Sequence, residues 1–170
     1  MEESDTILID THAHLDHERF EDDVDQVMER AKLAQVQSII TVGADLASSR
    51  QAVEFAKRYP KVIATVGVHP HDADSVSESV LNEIAILAQD EGVVAIGEIG
   101  LDYHYDFSPR DVQRRVFAIQ ISLARKLELP IVVHVREAYQ DVMSILKSEH
   151  AEDVGGIIHC FSGDREVAKD

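Results

Sequence analysis

The stretch Thr6-Ile7-Leu8-Ile9-Asp10-Thr11-His12-Ala13-His14 carries an apolar run into two histidines. Thr6 to Ile9 reads as a short buried strand, because aliphatic and β-branched residues dominate and the turn-formers lie outside it. Residues two apart on a strand share a face, so Asp10, His12 and His14 project together where the strand runs out. Two imidazoles side by side form a metal-ligand pair suited to zinc, manganese, iron or nickel. A lone His-x-His does not define a site, so the rest of the chain has to supply further ligands.

Working outward, apolar runs and amphipathic stretches alternate. Phe20, Val24, Val27, Met28, Ala31 and Ala34 have helical spacing within Glu18 to Gln35. Strands are predicted at Ser38 to Gly43, Val62 to Val68, Val93 to Gly100, Pro130 to Val135 and Gly156 to Phe161. Helices are predicted at Leu46 to Arg58, Ser77 to Gln89, Pro109 to Leu127 and Ala138 to Ser148, with a sixth beginning after Gly163.

Strict alternation of this kind is what a parallel sheet covered by helices requires. A doubly wound open sheet and a closed barrel both satisfy it. The polar residues at the strand ends decide between them: His12 and His14, His69, Glu98, His134 and His159. Ligands from the C-terminal ends of many strands converge only if the strands curl into a ring. The reading is an α/β fold, a TIM (β/α)8-type barrel, present to about six β/α units over 1–170. A full barrel takes about 250 residues, and the seventh strand would have to follow where this sequence stops.

Composition narrows the class. The chain of 170 residues is 45% apolar and has no tryptophan, and no apolar run approaches the roughly 18 residues of a membrane span. The acidic start Met1 to Asp5 does not resemble a signal peptide. The single cysteine, Cys160, fits a reducing, cytoplasmic setting and is expected to lie buried behind the sixth strand. A net charge of −16 argues against nucleic-acid binding through a broad basic patch. It leaves open a phosphodiester substrate, because cations bound in a cleft invert the local field.

Glu98 is the most informative residue, a carboxylate between Gly97 and Ile99 in a strand with no other charge. Burying it requires an ion pair or a metal, and a carboxylate can offer one oxygen to each of two cations. His134 and Arg136 share a face. Arg136 is either paired with Glu137 or another acid, or free to clamp a phosphate with its planar fork. His159 is expected to point inward. Of His69 and His71, His69 is nearer the strand and the better candidate for contact with substrate or a leaving oxygen. Asp102 is either a loop-capping acid or part of the site, and Tyr103, His104 and Tyr105 form either a substrate rim or plain surface. His17 and His150 read as solvent-exposed.

Five segments then occur in order: Asp10-Thr11-His12-Ala13-His14, Gly67-Val68-His69-Pro70-His71, Gly97-Glu98-Ile99-Gly100-Leu101-Asp102-Tyr103, Leu129 to Arg136, and His159-Cys160-Phe161-Ser162-Gly163. Together they resemble the TatD-type metal-dependent deoxyribonucleases, within the amidohydrolase-like barrels. The resemblance implies two adjacent divalent cations, zinc, manganese or magnesium, at the strand ends. His12 and His14 would hold the first, Glu98 would bridge, and His134 with His159 would hold the second. The family adds an aspartate from a later strand. Asp164 and Asp170 follow too soon to be that residue, so the chain reads as a fragment or a truncated relative.

The expected activity is two-metal hydrolysis of DNA phosphodiesters, exonucleolytic and directed at single strands or ends, with Glu98, Arg136 and His69 as the catalytic set. Two alternatives stand beside it. One is hydrolysis of an ester, amide or lactone, against which the lack of a strand-four lysine counts. The other is a truncated, non-catalytic metal-binding chain that leaves two sheet edges open.

Overall fold

The computed structural model describes residues 7–169; Thr6, the acidic stretch Met1 to Asp5 and Asp170 lie outside them. Six strands pair in chain order and all in parallel: β1 (Leu8–Ala13), β2 (Val36–Val42), β3 (Val62–Val66), β4 (Val93–Asp102), β5 (Ile131–Arg136) and β6 (Gly156–Ile158). Five helices connect them: α1 (Val24–Leu33), α2 (Leu46–Arg58), α3 (Glu78–Leu87), α4 (Arg110–Leu127) and α5 (Tyr139–Ser148). The sheet curls into an incomplete TIM barrel. Bonds between non-neighbouring strands record the curl: the Glu98 N–H on β4 donates 2.8 Å to the Gly43 carbonyl beyond β2.

The core forms where the helices bury their apolar faces on the outside of the sheet. Phe117, Ile121 and Ala124 of α4 and Val142 of α5 pack against Ile96, Ile99, Leu101, Val133 and Val135. β4 is the most enclosed strand, with every residue except Val94 buried. Two glutamines on the buried face of α4 fix the ends of neighbouring strands. Gln120 accepts from the Val68 N–H (2.8 Å) and donates to its carbonyl (2.9 Å), directly before His69. Gln113 does the same for Asp102, at 2.9 and 3.1 Å. Each satisfies strand-end groups that would otherwise be buried without partners.

Several expectations are corrected. β1 is not buried: Leu8 and Ile9 are 47% and 58% exposed, because β1 is an edge strand here with a neighbour on one side only. The first helical stretch splits into a 3-10 turn, Glu18–Phe20, and α1, which begins after Asp23. β6 stops at Ile158, and residues 165–169 form turns, not a sixth helix. Cys160 is exposed, since its left-handed φ of 46° ends the strand alternation that would have turned it behind the sheet.

Candidate metal centre

Strand ends and the loops directly after them deliver the site. Glu98, in mid-β4, is 4% exposed, and its two oxygens face different imidazoles. Oε2 lies 3.3 Å from His12 Nε2, and Oε1 lies 3.1 Å from His134 Nδ1. The ring of His159, one residue past β6, stacks on that of His12 with centroids 3.5 Å apart. Two sets of three donors therefore have their ligand atoms within 4.8 Å of one another: His12, Glu98 and His159, and His69, Glu98 and His134. Both sets share Glu98, which is the placement a bridging carboxylate needs.

The other expected residues fall around this cluster. His14 lies beside His12, ring centroids 5.1 Å apart, but belongs to neither set. His159 sits with His12 rather than with His134, the partner the resemblance implies for it. Arg136 stands outside the cluster, with its guanidinium 4.7 Å from the centre of the Tyr105 ring. Glu137, its expected alternative partner, is engaged by His104 at 2.8 Å instead. Among the described residues, no carboxylate lies within ion-pair distance of Arg136.

Hydrogen bonds assign the ring protons. His14 Nδ1 lies 3.1 Å from the Val42 carbonyl, which can only accept, so Nδ1 carries a proton and Nε2 is the nitrogen placed to ligate. That is the tautomer of a metal ligand held by a backbone carbonyl. His69 is the reverse: its Nδ1 accepts the His71 N–H at 3.2 Å, so the neutral ring carries its proton on Nε2. Burial, with His134 beside it, pulls the His69 pKa down to about 3, so this ring stays neutral at physiological pH.

Asp102 is the residue whose place the sequence left undecided. It is fully buried, and both readings hold. Oδ1 accepts the N–H groups of His104 and Tyr105, at 3.0 and 2.9 Å, and shapes the loop after β4. Oδ2 lies 2.9 Å from His71 Nε2 and 3.1 Å from His134 Nε2. Burial works against its charge, but these donors prevail and hold its pKa at about 2. In the same way Glu98, opposed by burial, is held well below the carboxylate range by hydrogen bonds from His12 and His134. His134 is the counterpart: burial lowers its pKa, while Glu98 and then Asp102 raise it beyond that loss. The role of His71, passed over in favour of His69, was missed; its spacing of two from His69 was the available signal.

Five imidazoles and a buried carboxylate with divergent oxygens suit divalent cations of borderline softness. Two of the rings, His69 and His159, have lowered pKa values, burial being the main cause in both. For His159 this keeps a lone pair available without expelling a proton. The donor set fits the metal that the architecture implies.

Comparison with known proteins agrees. A family model described as TatD related DNase matches residues 9–170. The chain is 49% identical to an uncharacterized metal-dependent hydrolase, YabD, of Bacillus subtilis, covering 96% of this chain and 64% of the relative. It is 36% identical to a protein named 3'-5' ssDNA/RNA exonuclease TatD in Klebsiella pneumoniae, over 96% of this chain and 62% of the relative. The crystal structure of YjjV, a TatD homolog from Escherichia coli, superposes with a TM-score of 0.89 at 29% identity, covering 95% of this chain and 63% of that one. The chain thus spans less than two thirds of the length of these proteins. No helix among the described residues is long and apolar enough to cross a membrane.

Proposed function

This chain belongs to the family of TatD-related DNases, and from that premise we propose that it is an exonuclease hydrolysing phosphodiester bonds at the ends of single-stranded DNA with two divalent cations. The observation that carries the proposal is the division of Glu98, with one oxygen toward His12 and the other toward His134. A purely structural ion pair does not need five histidines from four strand ends around one carboxylate.

His12, His14, Glu98, His134 and His159 would hold the cations. When bound, the cations supply Lewis acidity, making water nucleophilic at neutral pH and offsetting charge on the leaving oxygen. The protein's own groups do the positioning. Arg136, with no carboxylate of the described residues within ion-pair distance, grips the non-bridging oxygens of the scissile phosphate. His69 offers its Nε2–H to a phosphate or leaving oxygen, the role its tautomer permits. Asp102 is a positioning residue that holds the His134 ring from the side away from Glu98. Specificity for base sequence is expected to be weak, since among the described residues no element is placed to read base edges in a groove. Digestion from the 3′ end follows the relatives named for it.

The test is cleavage of an end-labelled oligothymidylate by the 170-residue chain with manganese, abolished by chelator and restored by added cation. Glu98→Gln is expected to lower kcat/KM at least 100-fold, and Arg136→Ala about 10- to 100-fold. Near-wild-type cleavage by Glu98→Gln overturns the proposal. A panel of aryl ester and lactone substrates addresses the other hydrolase chemistry, against which the absence of any lysine from β4 argues.

A further inference from the structure

Beside the histidine cluster, the loop between β4 and α4 displays two aromatic rings that hydrolysis itself does not use. Tyr105 and Phe107 lie nearly parallel, with centroids 5.2 Å apart and planes 20° from coincidence. They are 46% and 64% exposed, so much of their apolar surface stays in water at a cost in hydration free energy. The His71 ring meets both edge-on, at 5.5 and 4.7 Å, and the Arg136 guanidinium lies over Tyr105.

The pair is held in place. Asp102 Oδ1 anchors the loop through the Tyr105 N–H, and Ser108 Oγ donates to the His71 carbonyl at 2.8 Å. The other Asp102 oxygen holds His71 and His134. One buried carboxylate therefore fixes the aromatic pair relative to the metal centre, and one side chain, His71, separates Phe107 from His134.

We propose that Tyr105 and Phe107 form a stacking platform for a nucleobase of single-stranded nucleic acid, the one adjoining the phosphate that Arg136 grips. This inference rests on the nucleic-acid reading of the centre and names what selects the substrate. Every base has a π-face, so stacking is indifferent to sequence. A base inside a duplex has both faces covered by its neighbours, so only single strands and frayed ends can use the platform. The chain carries a net charge of −16 and cannot draw nucleic acid in by long-range attraction. Stacking with one arginine at close range supplies the binding that its field does not.

The experiment compares an eight-residue oligothymidylate with the same oligomer made abasic at its two terminal 3′ positions. Phe107→Ala is expected to reduce the preference for the intact oligomer, as the ratio of kcat/KM values with manganese, by about 5- to 150-fold, the equivalent of 1–3 kcal/mol for one base–aromatic stack. The loss should appear in KM. Phe107→Trp should retain the preference and, in a chain with no other tryptophan, report stacking directly. Its fluorescence should be quenched by the intact oligomer and not by the abasic one, in chelator, where no cleavage is needed. An unchanged ratio in Phe107→Ala, or equal quenching by both oligomers, overturns the platform while leaving the nuclease reading intact if the wild-type chain still cleaves. If the wild-type chain cleaves neither oligomer, the nuclease reading fails, and the tryptophan signal alone decides whether bases stack here.

Discussion

The imidazoles of His12 and His159 lie face to face, centroids 3.5 Å apart and planes 13° from parallel. His12 belongs to β1 and His159 follows β6, the two edge strands of the sheet. The sheet therefore curls far enough for its first and last strands to meet at their C-terminal ends, although no ladder joins them. Burial lowers the His159 pKa, and the neighbouring His12 lowers it further. With the His159 ring held below its ordinary pKa beside His12 and Glu98, this end of the cluster favours a cation over a further proton.

A cation taken up there should staple the two edges. A ligand at a hundred times its dissociation constant stabilises the folded state by about 2.7 kcal/mol. For a chain of this size that corresponds to a rise in Tm of roughly 5–10 °C. Differential scanning with and without manganese should show it. His159→Ala should abolish most of the rise, because it removes the ligand that follows the last strand. A rise unchanged in His159→Ala would place the cation elsewhere.

Acid and base should act in opposite directions on the free and the loaded chain. The pKa of His134 is raised on folding, against the effect of burial, so its stabilisation is complete below its unfolded pKa and is lost as pH rises through the folded value. Those of Glu98 and Asp102 are lowered, against burial, so their contribution is present above the unfolded carboxylate range and is lost as pH falls toward the folded values. The lowered pKa values of His69 and His159 cost stability as pH falls below the unfolded histidine value, so the cation-free chain should be most stable near that value, about pH 6.5. Cation binding must expel the His134 proton, so affinity should rise about tenfold per pH unit below the folded His134 pKa. Calorimetric titration in two buffers of different ionisation enthalpy should count about one proton released.

Asp102→Asn tests the buried node. An amide keeps one acceptor oxygen and places an NH2 where Asp102 accepts two donors, either from the loop or from His71 and His134. Loss of hydrogen bonds to a buried charge should cost roughly 2–3 kcal/mol, read as a lower urea midpoint. Cation affinity should fall at the same time, since His134 loses its orienting partner. A purely structural acid would lower stability and leave cation affinity unchanged.

Gly100 sets how closely β4 and β5 approach. Its φ of 142° is open to glycine alone, and an added Cβ would run into the His134 carbonyl oxygen. Gly100→Ala should force the strands apart at His134 itself. The expected result is a cooperative transition lost or shifted down by several degrees in circular dichroism, with no recovery on adding manganese. Gly155, where an added Cβ meets nothing within 4 Å, is the control for a positive-φ glycine without a steric role.

The alternation of strands and helices and the convergence of His12, His69, Glu98, His134 and His159 were legible because polar residues ended apolar runs. What was not legible depended on neighbours. β1 has the composition of a buried strand, yet burial requires an element on each side, and composition cannot count neighbours. The exposure of Cys160 turned on one left-handed φ, which strand periodicity does not encode. Gln113 and Gln120 did leave a signal, two amides on the stripe defined by Val116, Phe117, Ile121 and Ala124. Their partners at the ends of β3 and β4 become visible only in three dimensions.

The two open edges lead to the last expectation. On β1, Leu8 and Ile9 are 47% and 58% exposed beside an exposed Ile7, and on β6 Ile157 is 60% exposed. Parallel sheets are ordinarily covered on both faces, and an uncovered apolar edge is a template for another chain. Each isoleucine removed from water contributes about 1.5–3 kcal/mol, enough for a few such contacts to drive association. A lysine at the edge opposes this by charge without disturbing the core. Ile9→Lys should therefore shift sedimentation-velocity profiles toward the monomer at high protein concentration while lowering Tm by less than about 2 °C, as expected for surface substitutions. Ile9 is no part of the histidine cluster, so manganese should stabilise the variant as much as the wild-type chain. A large loss of Tm would instead mean that Ile9 is covered within the folded chain, and the open-edge account of β1 would have to be abandoned.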